Sequence, residues 1–238
     1  MTAAAKTTAS PTERMVRAGA DLLQSGGIDA VSTRAVAAAA GVQPPAIYRQ
    51  FGDKDGLLDA IARFVIAAYL NEKRLLAGSS HDPATDLRRM WDLHVELGLN
   101  EPDCYVLLFG QARPGRVFST TTEAVDLLRS VIARLGKQGR LRMSVDRATE
   151  YFRSTGTGYI LTQIGAPPAE RDPELSAIIF EDTMAAITTG TRSRSRGSAT
   201  LPSRAIALRE ALRDQPSLPL SAAEIELLSE WLNRLADH

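Results

Sequence analysis

The chain has 238 residues, enough for one large or two small domains, and is 44% apolar, 24% charged and 5% aromatic. Its 28 basic and 28 acidic side chains cancel, so no global field draws it to nucleic acid and any phosphate-binding surface must be a local patch. The single cysteine, Cys104, excludes an internal disulfide and a cysteine-rich zinc site, and no apolar run reaches membrane-spanning length, so no membrane partner is expected.

Alanine and leucine dominate and long β-branched runs are missing, which predicts an all-α chain. Residues 1–10 are small and polar without an apolar signal core; they read as a disordered arm, with the cytoplasm as the default location. A first helix should begin at Pro11 or Thr12, bury Met15, Gly19, Leu22 and Leu23, and stop at Gly26–Gly27. Ser32 is a good N-cap for a second helix burying Val36, Ala37 and Ala40, and Gly41 can end it in the left-handed conformation. A third helix over Pro44 to Gln50 turns Ile47 and Phe51 inward. It leaves Gln43, Pro45, Ala46, Tyr48, Arg49 and Gln50 outward, more than a purely structural helix of two turns needs. A short helix, a turn with glycine and a second helix exposing Tyr, Arg and Gln is the pattern of a DNA-reading helix-turn-helix.

Asp53 caps a fourth, longer helix from Lys54 to about Ala77, whose apolar face holds Leu57, Ile61, Phe64, Val65 and Ala68; its length suggests a bridge into a second region. Further helices are expected from Pro83 to Gly98, from Pro102 to Gln111, around Val125–Leu135, from Ser144 to Ile164, and from Asp172–Pro173 to Thr189. Small residues in the last two, including Ser154, Gly156, Gly158, Ala177, Ala185 and Ala186, suit close packing across a dimer interface. Thr191 to Ser203 reads as a mobile linker. A tail follows, with one helix over Arg204–Arg213 and a last one opened by the capping box Ser221–Glu224. The expected organisation is therefore an arm (1–10), a helix-turn-helix domain (11–56), a ligand-binding and dimerisation bundle (57–190), a linker (191–203) and a helical extension (204–238).

The segment RMVRAGADLLQSGGIDAVSTRAVAAAAGVQPPAIYRQFGDKDGLLDAI resembles the N-terminal DNA-binding region of the TetR family of bacterial regulators, over about a fifth of the chain. Met15, Ala18, Gly27, Val36–Ala37, Ala40–Gly41–Val42, Ile47–Tyr48, Phe51, Lys54 and Leu57–Leu58 carry the likeness in order. Gln43 stands where the family usually has Ser or Thr, and Pro45 replaces a common Gly; the Pro-Pro opening fixes two φ angles near helical values. The resemblance implies a homodimer that places two reading helices in successive major grooves of a palindromic operator. It also implies a small-molecule effector that binds the C-terminal bundle and shifts the bridging helix.

The residue types divide the contacts. The Ser32 helix N-terminus, the Tyr48 hydroxyl and Lys54 suit phosphates, which position without reading sequence. Base reading falls to Arg34, Gln43, Ala46 and Arg49, with Gln50 at the margin: Arg can bind guanine at two points, Gln adenine, and the Ala46 methyl can meet a thymine methyl. Trp91, His94, Tyr105, Phe109, Phe152 and Tyr159 are the candidate effector-pocket residues, each with the competing reading of plain core. His81, His94 and His238 form no H-x-x-x-H pair, so no metal is expected, and neither a Gly-rich phosphate loop nor a G-x-S-x-G element points to a cofactor or catalysis. Cys104 lies on an inward stripe, and Arg192, Arg194 and Arg196 read as solvated linker. Two alternatives stay open: control by a protein partner through the tail, and a helical enzyme or carrier with a vestigial DNA-binding head.

Overall fold

The computed structural model describes residues 10–110, 118–172, 174–189, 200–215 and 218–237. Among them are twelve α-helices and no strand beyond an isolated bridge between Leu141 and Thr188, so the chain is all-α. The helices are α1 (Pro11–Ala30), α2 (Thr33–Ala39), α3 (Pro44–Phe51), α4 (Lys54–Val65), α5 (Ala67–Leu76) and α6 (Pro83–Asn100). Then come α7 (Pro102–Tyr105), α8 (Ser119–Lys137), α9 (Val145–Gly165), α10 (Leu175–Ile187), α11 (Leu201–Arg213) and α12 (Ala222–Ala236). They form two compact units that are not consecutive in sequence: one from the described residues of Met1–Asn71 and Leu97–Thr122, the other from those of Glu72–Glu96 and Glu123–His238.

In the first unit, α1 packs on α2, α4 and α7, and α3 packs on α2 and α4. Its start is firmer than the sequence suggested. Ser10, assigned to the arm, is the N-cap of α1: its hydroxyl accepts from Glu13 N and its own N–H donates to the Glu13 carboxylate. Helical geometry breaks at Gly26 and Gly27 as expected, with Gly27 at φ 63, but one more turn continues to Ala30. Met15, Leu23, Val31, Val36, Ile47, Leu57 and Ile61 are at most 2% exposed. Each buried side chain of this size contributes about 1.5–3 kcal/mol, which makes this a true core for a small head.

The long fourth helix is two helices. Ile66 lies between α4 and α5 at φ −93, ψ 13. The break falls where two β-branched residues, Val65 and Ile66, are adjacent, a pairing that crowds the preceding helical turn. The helix expected to run from Pro102 to Gln111 is likewise short: α7 gives way to a π-helical turn over Val106–Gly110, and Gln111 lies outside the described residues.

In the second unit, α9 and α10 pack on each other, as do α11 and α12. Ser144 caps α9 and Ser221–Glu224 form the capping box of α12, as expected. Gly156 lies against a ring of its own chain. A Cβ there would sit 3.2 Å from the Trp91 ring, so Gly156 makes room for Trp91 inside this unit. Residues 190–199, most of the expected linker, lie outside the described residues. Thr200 to Ser203 are not linker: Thr200 caps α11 and Ser203 is 3% exposed in its first turn.

The tail docks on the α8–α9 turn. Ile206 and Glu210 pack on Gly136, Arg209 bonds Asp146, Lys137 bonds Asp214, and Asp237 accepts from the N–H and hydroxyl of Ser144. Asp146 is penalised by partial burial, but its bonds to Arg129 and Arg209 outweigh this and hold its carboxyl below the ordinary range.

Candidate nucleic-acid interface

The turn between α2 and α3 is built by local chemistry. The Ser32 hydroxyl accepts from Ala35 N at 3.1 Å, which satisfies one unpaired N–H at the start of α2. Gly41, at φ 65, lets the chain leave α2 while Val42 N donates to Ala37 O at 2.9 Å, the six-to-one bond of a Schellman ending. Gln43 is the N-cap of α3 and gives it no side-chain bond; the two prolines occupy the first turn, where a missing N–H is harmless. Asp53 then caps α4 through Gly56 N at 2.8 Å, fixing Lys54 at the exit of α3.

Ile47 is fully buried, and this single anchor presents the opposite side of α3 to solvent. Gln43, Pro45, Tyr48, Arg49 and Gln50 are exposed and Ala46 is half-buried; Ser32, Arg34 and Lys54 are exposed nearby. Phe51, expected inward, is only half-buried. From Val31 to Gly52 there is no acidic residue, while Arg34 and Arg49 are present and Lys54 follows. The acid-free stretch thus carries two arginines, and Lys54 lies just beyond it between Asp53 and Asp55. Arg34, Arg49 and Lys54 make no ion pair among the described residues, so their charges are not already neutralised.

One contact here was missed from sequence. Thr33 Oγ1 lies 3.4 Å from the Tyr48 hydroxyl, tying the first turn of α2 to the exposed face of α3. Tyr48 is 52% exposed, so its ring stands at the surface with its hydroxyl steered by Thr33. The only sequence signal was Thr33 following a cap residue, which is not enough to pair it with a side chain fifteen positions away.

Residues 16–61 match the sequence profile described as bacterial regulatory proteins, tetR family. The first helices of the chain are thus similar to the N-terminal segment of the tetR family. The class A tetracycline repressor from transposon 1721 of Escherichia coli is 45% identical over 53 residues, a stretch that is 22% of this chain and 24% of that repressor. The chain thus spans about a quarter of the length of the curated relative it matches, and that likeness speaks for the TetR head alone. Solved structures extend the fold further. The transcriptional regulator FadR from Bacillus subtilis, solved with stearoyl-CoA, superimposes with a TM-score of 0.61 at 14% identity, covering 73% of this chain and 98% of that one. A putative tetR family regulator from Shewanella sp. PV-4 gives a TM-score of 0.60 at 14% identity over 76% of this chain and 100% of that one.

The six residues expected around an effector divide between the units. Tyr105 is buried and Phe109 half-buried in the first, with ring centroids 4.6 Å apart. In the second, Trp91 packs edge-on to Phe152 at 5.5 Å, stacks on Tyr159 at 6.3 Å, and donates its indole N–H to Ser176 Oγ at 3.0 Å. Phe180, not singled out from sequence, completes that cluster, 5.8 Å from Trp91 and 6.2 Å from Phe152. These rings touch one another, the packing of a core. Burial, then the neighbouring Lys73 ammonium, push the His94 imidazole down to about 3, so it stays neutral at physiological pH. Burial, then Glu101 and Asp103, push the Cys104 thiol up to about 12, and the side chain is 2% exposed, which disfavours the reactive thiolate. Among the described residues no group of three His, Cys, Asp or Glu side chains is placed to hold a metal ion, and no helix is long and apolar enough to cross a membrane.

Proposed function

We propose that this chain is a dimeric DNA-binding transcriptional regulator, a non-catalytic repressor that leaves a palindromic operator when a small apolar or amphipathic effector binds. The observation that carries the reading is the acid-free, outward-facing surface of α3 on a TetR-type head. Gln43, Pro45, Tyr48, Arg49 and Gln50 are exposed on it, with Ala46 half-buried among them, and a helix is an element that a major groove admits. Tyr48, Ser32 and Lys54 contact phosphates, while Arg34, Gln43, Ala46 and Arg49 read bases, with Gln50 beside them. A homodimer doubles this small surface and requires a two-fold symmetric site. Its place of work is with the DNA in the cytoplasm.

The effector acts only through a difference in affinity between DNA-competent and DNA-incompetent states. A ligand that binds among Trp91, Phe152 and Tyr159 has to part rings that now touch. The Bacillus subtilis regulator of the same fold, solved with stearoyl-CoA, is the precedent for an amphipathic ligand in this architecture. Selection of binding sites from a random duplex pool tests the reading: enrichment of an inverted repeat supports it, and a pool that stays random after repeated rounds rejects it.

A further inference from the structure

A cleft of about 520 Å³ opens in the second unit between the start of α6, the α8–α9 turn and α10. That volume suits a small molecule, and neither Trp91 nor any other residue singled out from sequence for an effector lines it. Its charged lining has more cations than anions. Arg88 and Arg89 come from α6 and Arg140 from the turn, against the carboxylates of Asp82 and Glu181. Phe180 and Met184, both largely buried, supply apolar lining.

The three guanidinium groups are held differently. Arg140 is fixed by backbone: Arg142 N donates to Ile187 O and Thr189 N to Arg140 O, both at 2.9 Å. Its side chain donates to Asp82 Oδ1 at 2.6 Å, and the same oxygen accepts from Ala84 N at 3.2 Å. The Arg140 bond, acting first, holds the Asp82 carboxyl below the ordinary range against a smaller opposing effect of burial. Asp82 is therefore engaged on both sides. Arg88 lies 4.8 Å above the Phe180 ring, with Asp92 at 3.2 Å and Glu181 at 3.9 Å. Arg89 has no carboxylate partner among the described residues; it donates to Ser79 Oγ at 3.3 Å. Arg89 is thus a cation without a carboxylate partner, beside two that have one, in a cleft that Phe180 and Met184 also line.

We propose that this cleft binds a small amphipathic anion, a carboxylate, sulfonate or phosphate monoester on a compact apolar or aromatic group. Arg89 and Arg140 hold the anionic group, since a guanidinium matches the oxygens of such groups with paired N–H donors. Met184 and the Phe180 edge receive the apolar part, so the bare anion and the uncharged analogue each forfeit half of the site. The binding does not depend on what the head does; only a consequent change in operator affinity rests on the regulatory reading above.

The test is calorimetric titration of the full chain, without DNA, with phenyl phosphate, inorganic phosphate and phenol. The expected result is one site per chain for phenyl phosphate, tighter than either fragment, weakened about tenfold by Arg89→Gln and abolished by Met184→Glu, with unchanged thermal unfolding for Arg89→Gln. Arg89→Gln removes no ion pair, so a failure to fold does not cloud it. No heat with phenyl phosphate, binding untouched by both substitutions, or phenol binding as tightly overturns the proposal. Failure of operator binding leaves these results standing, and their failure leaves the DNA reading standing.

Discussion

Replacing Gly19 by alanine puts a new Cβ inside van der Waals contact of Ile61 Cδ1 and 2.7 Å from Ile61 Cγ1, against about 3.5–4.0 Å for an unstrained carbon pair. Ile61 is fully buried, so its end cannot swing into solvent, and α1 and α4 must separate or Ile61 must leave its rotamer. Overpacking of this kind costs about 1–3 kcal/mol. Alanine recovers about 1 kcal/mol of helix propensity over glycine, leaving a net loss of about 1 kcal/mol. Ile61→Val removes the nearest atom and by itself costs about 0.5–1.5 kcal/mol. The two substitutions should therefore compensate: the double variant should be more stable than the sum of the singles by about 0.5 kcal/mol or more. Urea unfolding followed by far-ultraviolet circular dichroism measures all four corners of this cycle. Additive losses, or a Gly19→Ala variant stabilised by the full helix-propensity gain, would refute the close approach of α1 and α4.

Three other predictions rest on separate features. The His94 side chain is neutral when folded and has an ordinary value of 6.5 when unfolded, so the unfolded chain binds the extra proton as pH falls below 6.5. Stability should drop between pH 6.5 and 5 by up to about 1.4 kcal/mol per pH unit; His94→Gln should flatten that slope in denaturant titrations, and an unchanged slope counts against it. Asp86 is fully buried and accepts from Arg134 at 2.5 Å, Ser79 Oγ at 3.0 Å and Ser80 N at 2.9 Å. Asp86→Ala strands these donors and should cost about 3–5 kcal/mol in the same unfolding assay. At Gly158 a Cβ would meet nothing within 4 Å, so Gly158→Ala should raise stability by about 0.5–1 kcal/mol; a loss there would reveal a packing partner on that face of α9.

The head was legible because its signals are local. Ser32, Gly41 and Asp53 act on backbone groups a few positions away, and a cap or a left-handed glycine does the same work in any context. Ser10 was missed although Ser10–Glu13 is a capping-box pair, because small polar neighbours made the segment look featureless. The Ile66 break was also hidden: a periodic apolar face continues through it, and periodicity does not register one residue leaving helical geometry. Long-range pairing was the least legible. Arg209 and Glu210 are 8% and 2% exposed, yet charged residues on a short tail helix read as surface until the α8–α9 turn they rest on is known. The same holds for the cleft, whose arginines come from α6 and from a turn some fifty residues later. The aromatic residues were found as types, but composition cannot say whether rings enclose a space or fill one, and Trp91 with Phe152, Tyr159 and Phe180 fills it.

Whether α3 reads DNA can be measured by fluorescence anisotropy titration of a selected inverted-repeat duplex with the wild-type chain, Lys54→Ala and Arg49→Ala, over a series of salt concentrations. A salt-sensitive complex is expected. Lys54→Ala should weaken all sequences alike and reduce the salt slope by about 1, and Arg49→Ala should cost about 1–3 kcal/mol and relax preference at one base pair in each half-site. A complex insensitive to salt and to both substitutions, or no complex at all, would contradict a reading role for α3.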